Sequence, residues 1–209
     1  NDDKERFDPR TITRVPYRAG TSFVEDRWQQ IYVVDVPAGF AEPNGAKPKR
    51  LTDLDLNYAT PAWSRDGATL YSTVTREPDN ARPYAYHDVI RLSSTESSIE
   101  LRRLTTAGHS CFDPKPSPDG KWIAYLRTRE ERLGHHITTV ALIPADGGEP
   151  IDLIASLDRD AQAFAWGRDS NHVYFTLQKD GAVNLWRATV PAAVSLDAEL
   201  RAANIPTTI

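Results

Sequence analysis

The segment Gly108-His109-Ser110-Cys111-Phe112 has nearly the residue types of a serine nucleophile turn, in which a serine stands between two glycines. Such a turn exposes the serine hydroxyl between a strand and a helix, where it can attack an acyl group. Phe112 stands where the final glycine is required, and that position must be small because strand and helix pack closely around it. We therefore interpret Ser110 as part of a plain connection between two repeat units.

The other reactive residues also lack the spacing of a catalytic or metal site. Cys111 is the single cysteine, and its place beside a buried strand favours a packed thiol over a nucleophile. His135 and His136 are adjacent, so on a strand they point to opposite faces and cannot bind one metal. We interpret His87-Asp88 as a loop pair. No cluster has zinc or calcium ligand spacing, so the sequence predicts no catalytic residue, no metal site and no cofactor.

The elements that carry these residues are repeated. Residues 58–71, 112–125 and 162–174 align with one another, and their aspartates fall 53 and 50 residues apart. A period near 50 residues is typical of a propeller blade of four antiparallel strands. Each unit has a tight turn in which Asp and Gly tolerate positive φ and a carboxylate bonds the turn backbone. The residues predicted to have this structural turn role are Asp66, Gly67, Asp119, Gly120 and Asp169.

Each unit also has the strands of a blade. A first strand ends at Trp63, Pro116 or Trp166. Second strands follow at residues 70–74, 122–126 and 173–177, third strands at 89–92, 138–143 and 183–190, and fourth strands at 101–105 and 151–154. The latter two second strands are apolar on both faces, which indicates burial between neighbouring blades. Four tryptophans, which could form a ligand-stacking set, are interpreted mainly as core residues because most sit at strand positions: Trp63, Trp122, Trp166 and Trp186.

The sequence therefore predicts an all-β protein, a partial β-propeller of about three to four four-stranded antiparallel blades in one domain. We divide it into a partial first blade (1–57), blades at 58–110 and 111–160, a partial blade (161–190) and a tail or start of a next blade (191–209). Residues 31–36 and 49–52 are the strands of the first unit, 11–17 supply an earlier strand, and 195–203 a short helix. Closed propellers need four to eight blades, so the chain is either a minimal ring or an arc of a larger one, and because no methionine is present we favour an arc cut from a longer chain.

Composition excludes some classes of partner. The net charge is −4 with scattered basic residues, which argues against nucleic acid. No apolar run approaches the roughly 18 residues that span a bilayer, which argues against a membrane protein. A single cysteine excludes an internal disulfide and fits a cytoplasmic location.

The repeated element Pro-x-Trp-Ser-x-Asp-Gly-x-x-Leu/Ile-x-Tyr resembles the blades of TolB-type proteins and of prolyl-oligopeptidase-family serine peptidases. Residues 11–17, 26–27 and 31–35, and the loop at 75–80, are similar to the acylaminoacyl-peptidase and dipeptidyl-aminopeptidase-like branch of that family. The hairpin at 144–150 is frequent there, but TolB-like blades share it. The resemblance covers roughly residues 11–190.

The resemblance implies a non-catalytic propeller whose partner is a missing C-terminal α/β-hydrolase domain with a Ser-Asp-His triad. The propeller would gate access for the peptide substrate. The alternative is a TolB-like propeller that binds another protein, and an enzyme complete within this chain is the least favoured. Open blade edges are also expected to allow a homodimer. Glu130-Glu131 resembles the glutamate pair that holds a substrate amino terminus in the dipeptidyl-peptidase-IV branch, but it follows a turn element instead of preceding one, so we interpret it as a solvated loop.

Overall fold

A computed structural model describes residues 18–19, 22–23, 28–36, 47–76, 87–94, 99–106, 108–129, 137–191 and 207–208. All regular structure in these ranges is antiparallel β-sheet. Two short pairs come first: β1 (Arg18–Ala19) with β2 (Ser22–Phe23), and β3 (Tyr32–Val33) with β4 (Lys49–Arg50). We name β3 and β4 the partial blade.

Three four-stranded sheets follow, each with its strands in chain order. Blade 1 consists of β5 (Tyr58–Trp63), β6 (Thr69–Thr75), β7 (His87–Ser94) and β8 (Ile99–Arg103). Blade 2 consists of β9 (His109–Pro116), β10 (Trp122–Arg129), β11 (Thr138–Pro144) and β12 (Ile151–Asp152). Blade 3 consists of β13 (Ala161–Trp166), β14 (His172–Lys179), β15 (Ala182–Thr189) and β16 (Thr207–Thr208). The predicted fold, a partial propeller of four-stranded blades, is confirmed.

The hydrophobic core lies in three layers between consecutive blades. Successive residues of a strand point to opposite faces, so β6, β7, β10 and β11 contribute to two layers each. Tyr71 and Val89 of blade 1 pack with Ile123, Tyr125 and Ile143 of blade 2. The layer between the partial blade and blade 1 contains Ile31, Leu56, Leu70, Val74 and Ile90, among others. The layer between blades 2 and 3 includes Ala124, Val140, Leu142, Phe164, Phe175 and Leu177.

The end of the chain differs from the sequence prediction. Thr207 and Thr208 pair with Arg187 and Trp186 of β15, so they form a fourth strand of blade 3 where a tail or a further blade was predicted. Pairing between residues this far apart in sequence leaves no local signal. The strand predicted at 11–17 and the helix predicted at 195–203 lie outside the described residues.

Candidate functional site

In the first two blades the repeated turn is built around a serine hydroxyl that donates a hydrogen bond to the aspartate two residues later. In blade 1, Ser64 Oγ donates to Asp66 Oδ1 at 2.6 Å, and the same carboxylate oxygen accepts the Ala68 amide at 3.0 Å. Ser64 Oγ in turn accepts the Thr69 amide at 2.9 Å. Gly67 has φ of 72°, a conformation that favours glycine because it has no Cβ. These bonds fix the reversal from β5 to β6.

Blade 2 repeats the same arrangement. Ser117 Oγ donates to Asp119 Oδ1 at 2.6 Å and accepts the Trp122 amide at 3.0 Å. The Lys121 amide bonds Asp119 Oδ1 at 3.2 Å, and Gly120 has φ of 75°.

Blade 3 builds its turn from different residues. Gly167 replaces the serine, and a Cβ there would lie 2.8 Å from Asp169 Oδ1, so a side chain at this position would require the Asp169 carboxylate to move. Ser170 occupies the left-handed position with φ of 60°. Asp169 bonds the Asn171 amide at 3.0 Å and His172 Nδ1 at 2.8 Å.

The three turn carboxylates are held in their ionised form. The hydrogen bond from Ser64 lowers the pKa of Asp66, and that from His172 lowers the pKa of Asp169. For Asp119 burial acts to raise the pKa, but hydrogen bonds from Ser117 and the Lys121 amide outweigh it and lower the pKa. The turns therefore carry negative charge at neutral pH.

The turns also join consecutive blades. Arg65 Nη1 of blade 1 donates to the Pro118 carbonyl of blade 2 at 3.5 Å. The Asp119 amide of blade 2 donates to Ser170 Oγ of blade 3 at 3.0 Å. The five residues predicted for the turn role thus lie at one end of the blades, in a row of linked turns.

A buried carboxylate lies at the opposite end of blade 1. Asp88 is 3% exposed in its side chain and accepts bonds from Arg76 at 2.6 and 3.1 Å and from Arg103 at 2.7 Å. Arg76 Nη2 also donates to the His109 carbonyl at 3.2 Å, which ties the network to blade 2. The interpretation of His87-Asp88 as a loop pair is wrong, because both residues belong to β7 and the neighbouring arginines allow Asp88 to be buried.

The two candidate nucleophiles are both buried within β9. Ser110 is 7% exposed and Cys111 is 1% exposed. The prediction that Ser110 lies in a connection is wrong, since His109–Pro116 is a strand that pairs with β10. Burial raises the pKa of the Cys111 thiol to about 12, against a lowering hydrogen bond with Thr105, so the packed thiol is protonated at neutral pH.

Other candidates fall outside the part of the chain that the structure describes, namely His135, His136, Glu130 and Glu131. Within the described ranges, no three His, Cys, Asp or Glu residues group closely enough to hold a metal ion. A search of the same ranges finds no helix long and apolar enough to cross a membrane.

The edge strands β5, β9 and β13 form the inner edge of the arc, where a propeller has its central channel. β9 lies against β5, and Lys115 Nζ of β9 donates to the Phe164 carbonyl of β13 at 2.9 Å. Trp166 Nε1 returns a bond to the Lys115 carbonyl at 2.8 Å. These two bonds join the inner strands of blades 2 and 3.

Each inner strand is interrupted by a bulge. In blades 1 and 2 the bulges contain Thr60 and Asp113, with φ of 50° and 51°. Left-handed conformations are uncommon for non-glycine residues, above all for β-branched Thr60, and a bulge redirects the side chain. Asp113 pairs with Lys115 at 2.9 Å, and both side chains are about two-fifths exposed. The inner edge therefore presents a charged pair beside a bulge, and no pattern in the sequence indicated it.

Two aromatic side chains are also exposed on these inner strands. Trp63 is 51% exposed and Phe112 is 37% exposed. Trp122 and Trp186 are buried as predicted, and Trp166 is partly buried against the core. The prediction of a core role is wrong for Trp63, because it is the last residue of an edge strand.

No protein-family model matches the chain. Dipeptidyl-peptidase 5 of Porphyromonas gingivalis is 32% identical over 108 residues, which cover 46% of this chain and 16% of that protein. The chain thus spans a small part of the curated relative that it matches.

Solved structures show the same fold. A puromycin-hydrolyzing peptidase of Mycobacterium tuberculosis matches with a TM-score of 0.55 and 21% identity, over 78% of this chain and 25% of that one. The tricorn protease matches with a TM-score of 0.54 and 11% identity, over 78% and 18% of the two chains. The solved structures show a β-propeller fold, and with the blade motif and the sequence match the predicted resemblance to the propeller region of prolyl-oligopeptidase-family peptidases is confirmed.

Proposed function

We propose that this chain is the non-catalytic propeller of a serine peptidase and that it restricts which peptides reach an α/β-hydrolase domain on the same polypeptide. The observation that carries the proposal is the 108-residue match, at 32% identity, to a dipeptidyl-peptidase. The hydrolase domain would supply the serine nucleophile, and the substrates would be short peptides.

The inner edge supports a selective role. Lys115 and Trp166 bond across blades, so β9 and β13 are tied together along this edge. The exposed Asp113–Lys115 pair gives this edge both signs of charge, with which peptide termini and side chains can interact. A charged edge of this kind suits contacts with the termini and charged side chains of an extended peptide.

The described residues support a division of labour between this chain and the hydrolase. Ser110 and Cys111 are buried in β9, so neither can reach a substrate without unfolding the strand. We therefore expect the isolated chain to leave aminoacyl and dipeptidyl nitroanilides intact. Clear turnover by the isolated chain would contradict the non-catalytic role.

The decisive experiment uses the natural polypeptide that contains this sequence. A fluorophosphonate probe should label it on a serine outside residues 1–209, and it should cleave dipeptidyl nitroanilides. Asp113→Asn should change the ratio of kcat/KM for lysine-containing over neutral peptides several-fold, while Asp146→Asn, on an outer hairpin, should leave the ratio unchanged. Absence of labelling would refute the peptidase, and labelling with an unchanged ratio would refute the selective role.

A second function, binding of another protein by a TolB-like propeller, is favoured by exposed Trp63 and Phe112. Trp63 is the last residue of β5 and Phe112 lies in β9, and aromatic side chains are enriched at protein interfaces. In that case the natural polypeptide would not react with the fluorophosphonate probe. Trp63→Ala would then weaken capture of a partner, whereas Leu54→Ala, at a residue that is also half exposed, would not.

A further inference from the structure

Four aspartates of the chain are followed directly by glycine, which makes each of them a candidate site of isoaspartate formation. They are Asp66, Asp119, Asp146 and Asp180. In this reaction the backbone nitrogen of the glycine attacks the side-chain carboxyl carbon of the aspartate, and the missing Cβ of glycine leaves that nitrogen accessible. The four pairs consist of the same residue types, so their surroundings decide which of them reacts.

The reaction has two steps and consumes no reagent other than water. First a bond forms between the glycine nitrogen and Cγ, the nitrogen loses its proton, and a carboxyl oxygen leaves as water, which gives a five-membered succinimide. Water then opens the ring. Cleavage of the bond between nitrogen and Cγ restores aspartate, whereas cleavage at the main-chain carbonyl gives isoaspartate, in which the chain runs through Cβ and the α-carboxylate is free. A reactive pair therefore needs a free glycine nitrogen and a carboxyl group that can turn toward it.

The pair in the turn of blade 1 has neither property. The Gly67 nitrogen donates to the Ser64 carbonyl at 2.9 Å. The Asp66 carboxylate accepts bonds from Ser64 Oγ at 2.6 Å and from the Ala68 amide at 3.0 Å. Both reacting groups are thus held in the turn, and the turn must open before they can meet.

The pair in the turn of blade 2 is held in the same way. The Gly120 nitrogen donates to the Ser117 carbonyl at 3.0 Å, and Ser117 Oγ donates to the Asp119 carboxylate at 2.6 Å.

The pair in the hairpin between β11 and β12 is also engaged, although it is more exposed. The Gly147 nitrogen donates to the Pro144 carbonyl at 2.8 Å. Asp146 pairs with Arg91 at 2.7 Å, and its side chain is 88% exposed. Its nitrogen is therefore protected, and its carboxylate is held by an ion pair that water can reach.

The Asp180-Gly181 pair differs in both respects. It forms the two-residue loop between β14 and β15, which is closed by the pairing of Lys179 with Ala182. The two loop residues have φ of 53° and 80°, as a type I′ hairpin requires. Among the residues that the structure describes, the Gly181 nitrogen and the Asp180 carboxylate have no hydrogen-bond partner. Both reacting groups are therefore free of the bonds that hold the other three pairs.

This loop also has space and water around it. Asp180 is exposed, and with Gly181 it lines an open polar cleft of about 350 Å³ whose walls include Gln162 and Gln178. The carboxyl group can rotate toward the glycine nitrogen in this space, and water can reach the succinimide. Opening of the closing pair of the hairpin frees the backbone for attack, and loop tips open locally at a small cost in free energy.

We propose that Asp180 is a site of spontaneous isoaspartate formation and the most reactive of the four pairs in the folded protein. Asp146 is second, because its side chain is exposed but held by Arg91, and Asp66 and Asp119 are protected. The product has one more backbone atom in a loop whose length fixes the strand register, so the pairing of β14 with β15 loosens at this end. The free α-carboxylate is the group that an isoaspartyl carboxyl methyltransferase recognises. The proposal is independent of the peptidase proposal, since it concerns the chemistry of the chain itself.

The test incubates the full chain at neutral pH and 37 °C for several weeks, digests it and locates isoaspartate by electron-transfer mass spectrometry. All chains carry Asn44→Gln, because Asn44-Gly45 gives the same product by losing ammonia. We expect isoaspartate to accumulate about tenfold faster at Asp180 than at Asp66 or Asp119. The matched control is the same chain in guanidinium, where all four pairs should react at rates within a few-fold of one another.

A variant separates this site from the rest of the chain. An isoaspartyl carboxyl methyltransferase with a labelled methyl donor should label the incubated folded chain. Asp180→Glu should lose most of the label, because the corresponding ring would have six members and forms much more slowly. Asp146→Glu should lose little of it.

Equal rates at the four pairs in the folded chain would overturn the proposal, and so would a leading rate at any pair other than Asp180-Gly181. A rate at Asp180 that is about tenfold lower in the folded chain than in guanidinium would overturn it as well, because the hairpin would then protect the pair. Full labelling of Asp180→Glu would place the modification elsewhere in the chain.

Discussion

Asp88 provides the sharpest test of how the blades are held together. Its carboxylate is 3% exposed and is the common partner of Arg76 and Arg103, which are 20% and 36% exposed. Asp88→Asn keeps the shape but turns an amide toward two guanidinium groups. Removing one partner of a buried ion pair costs about 3–5 kcal/mol. Because Arg103 reaches solvent, we expect the lower end, about 3 kcal/mol.

That loss is large enough to measure by two methods. For a chain of this size, about 1 kcal/mol corresponds to roughly 2–4 °C in Tm, so Asp88→Asn should lower Tm by about 6–12 °C. Urea unfolding followed by circular dichroism should give the same loss of free energy. Added salt should change the difference little, because the pair is mostly shielded from solvent.

Asp146→Asn is the matched control for this prediction. Asp146 also pairs with an arginine, at 2.7 Å, but its side chain is 88% exposed. Exposed pairs contribute about 0–1 kcal/mol, so the control should lower Tm by a few degrees at most. Equal losses for the two variants would refute the reasoning that burial of the carboxylate decides the stabilisation.

Three further predictions follow from the described contacts. Ile123→Ala removes a fully buried side chain between blades 1 and 2 and should cost about 2–4 kcal/mol in urea unfolding, whereas half-exposed Leu54→Ala should cost less than about 0.5 kcal/mol. Ser64→Ala removes the main cause of the lowered pKa of Asp66, so NMR titration should show that pKa rising toward its ordinary value. A lowered pKa contributes stability that is present at neutral pH and is lost as the pH falls below about 3.9, and this acid dependence should weaken in Ser64→Ala. Cys111 should react very slowly with a disulfide reagent at pH 8 in the native protein and completely in guanidinium, and rapid native reaction would contradict its burial.

Much of the fold could be predicted because its signals are local. The first strands end at Trp63, Pro116 and Trp166 in the structure, as the turn chemistry indicated. An Asp-Gly turn between two apolar runs is encoded within a few residues, and its recurrence at about 50 residues predicts blades. The β15–β16 pair was missed because its partners are separated by a segment without strand signals.

The candidate site was less accessible from sequence. The charged pair Asp113–Lys115 depends on a bulge, which places a side chain where regular alternation would not. The buried Asp88 depends on arginines from a loop and from another strand. Neither the bulge nor these partners leave a pattern that can be read along the chain.

By itself, the sequence determined the repeat, the turns and which segments form strands, since φ preference, turn hydrogen bonds and apolar alternation act over a few residues. Only the tertiary structure decided which faces are covered. Trp63 and Tyr71 both follow strand patterns, yet Trp63 ends exposed on an inner edge and Tyr71 lies under blade 2. Whether a strand face is buried depends on the blade that packs against it. Tyr71 and Tyr174 therefore occupy matching positions, but only Tyr71 is fully covered.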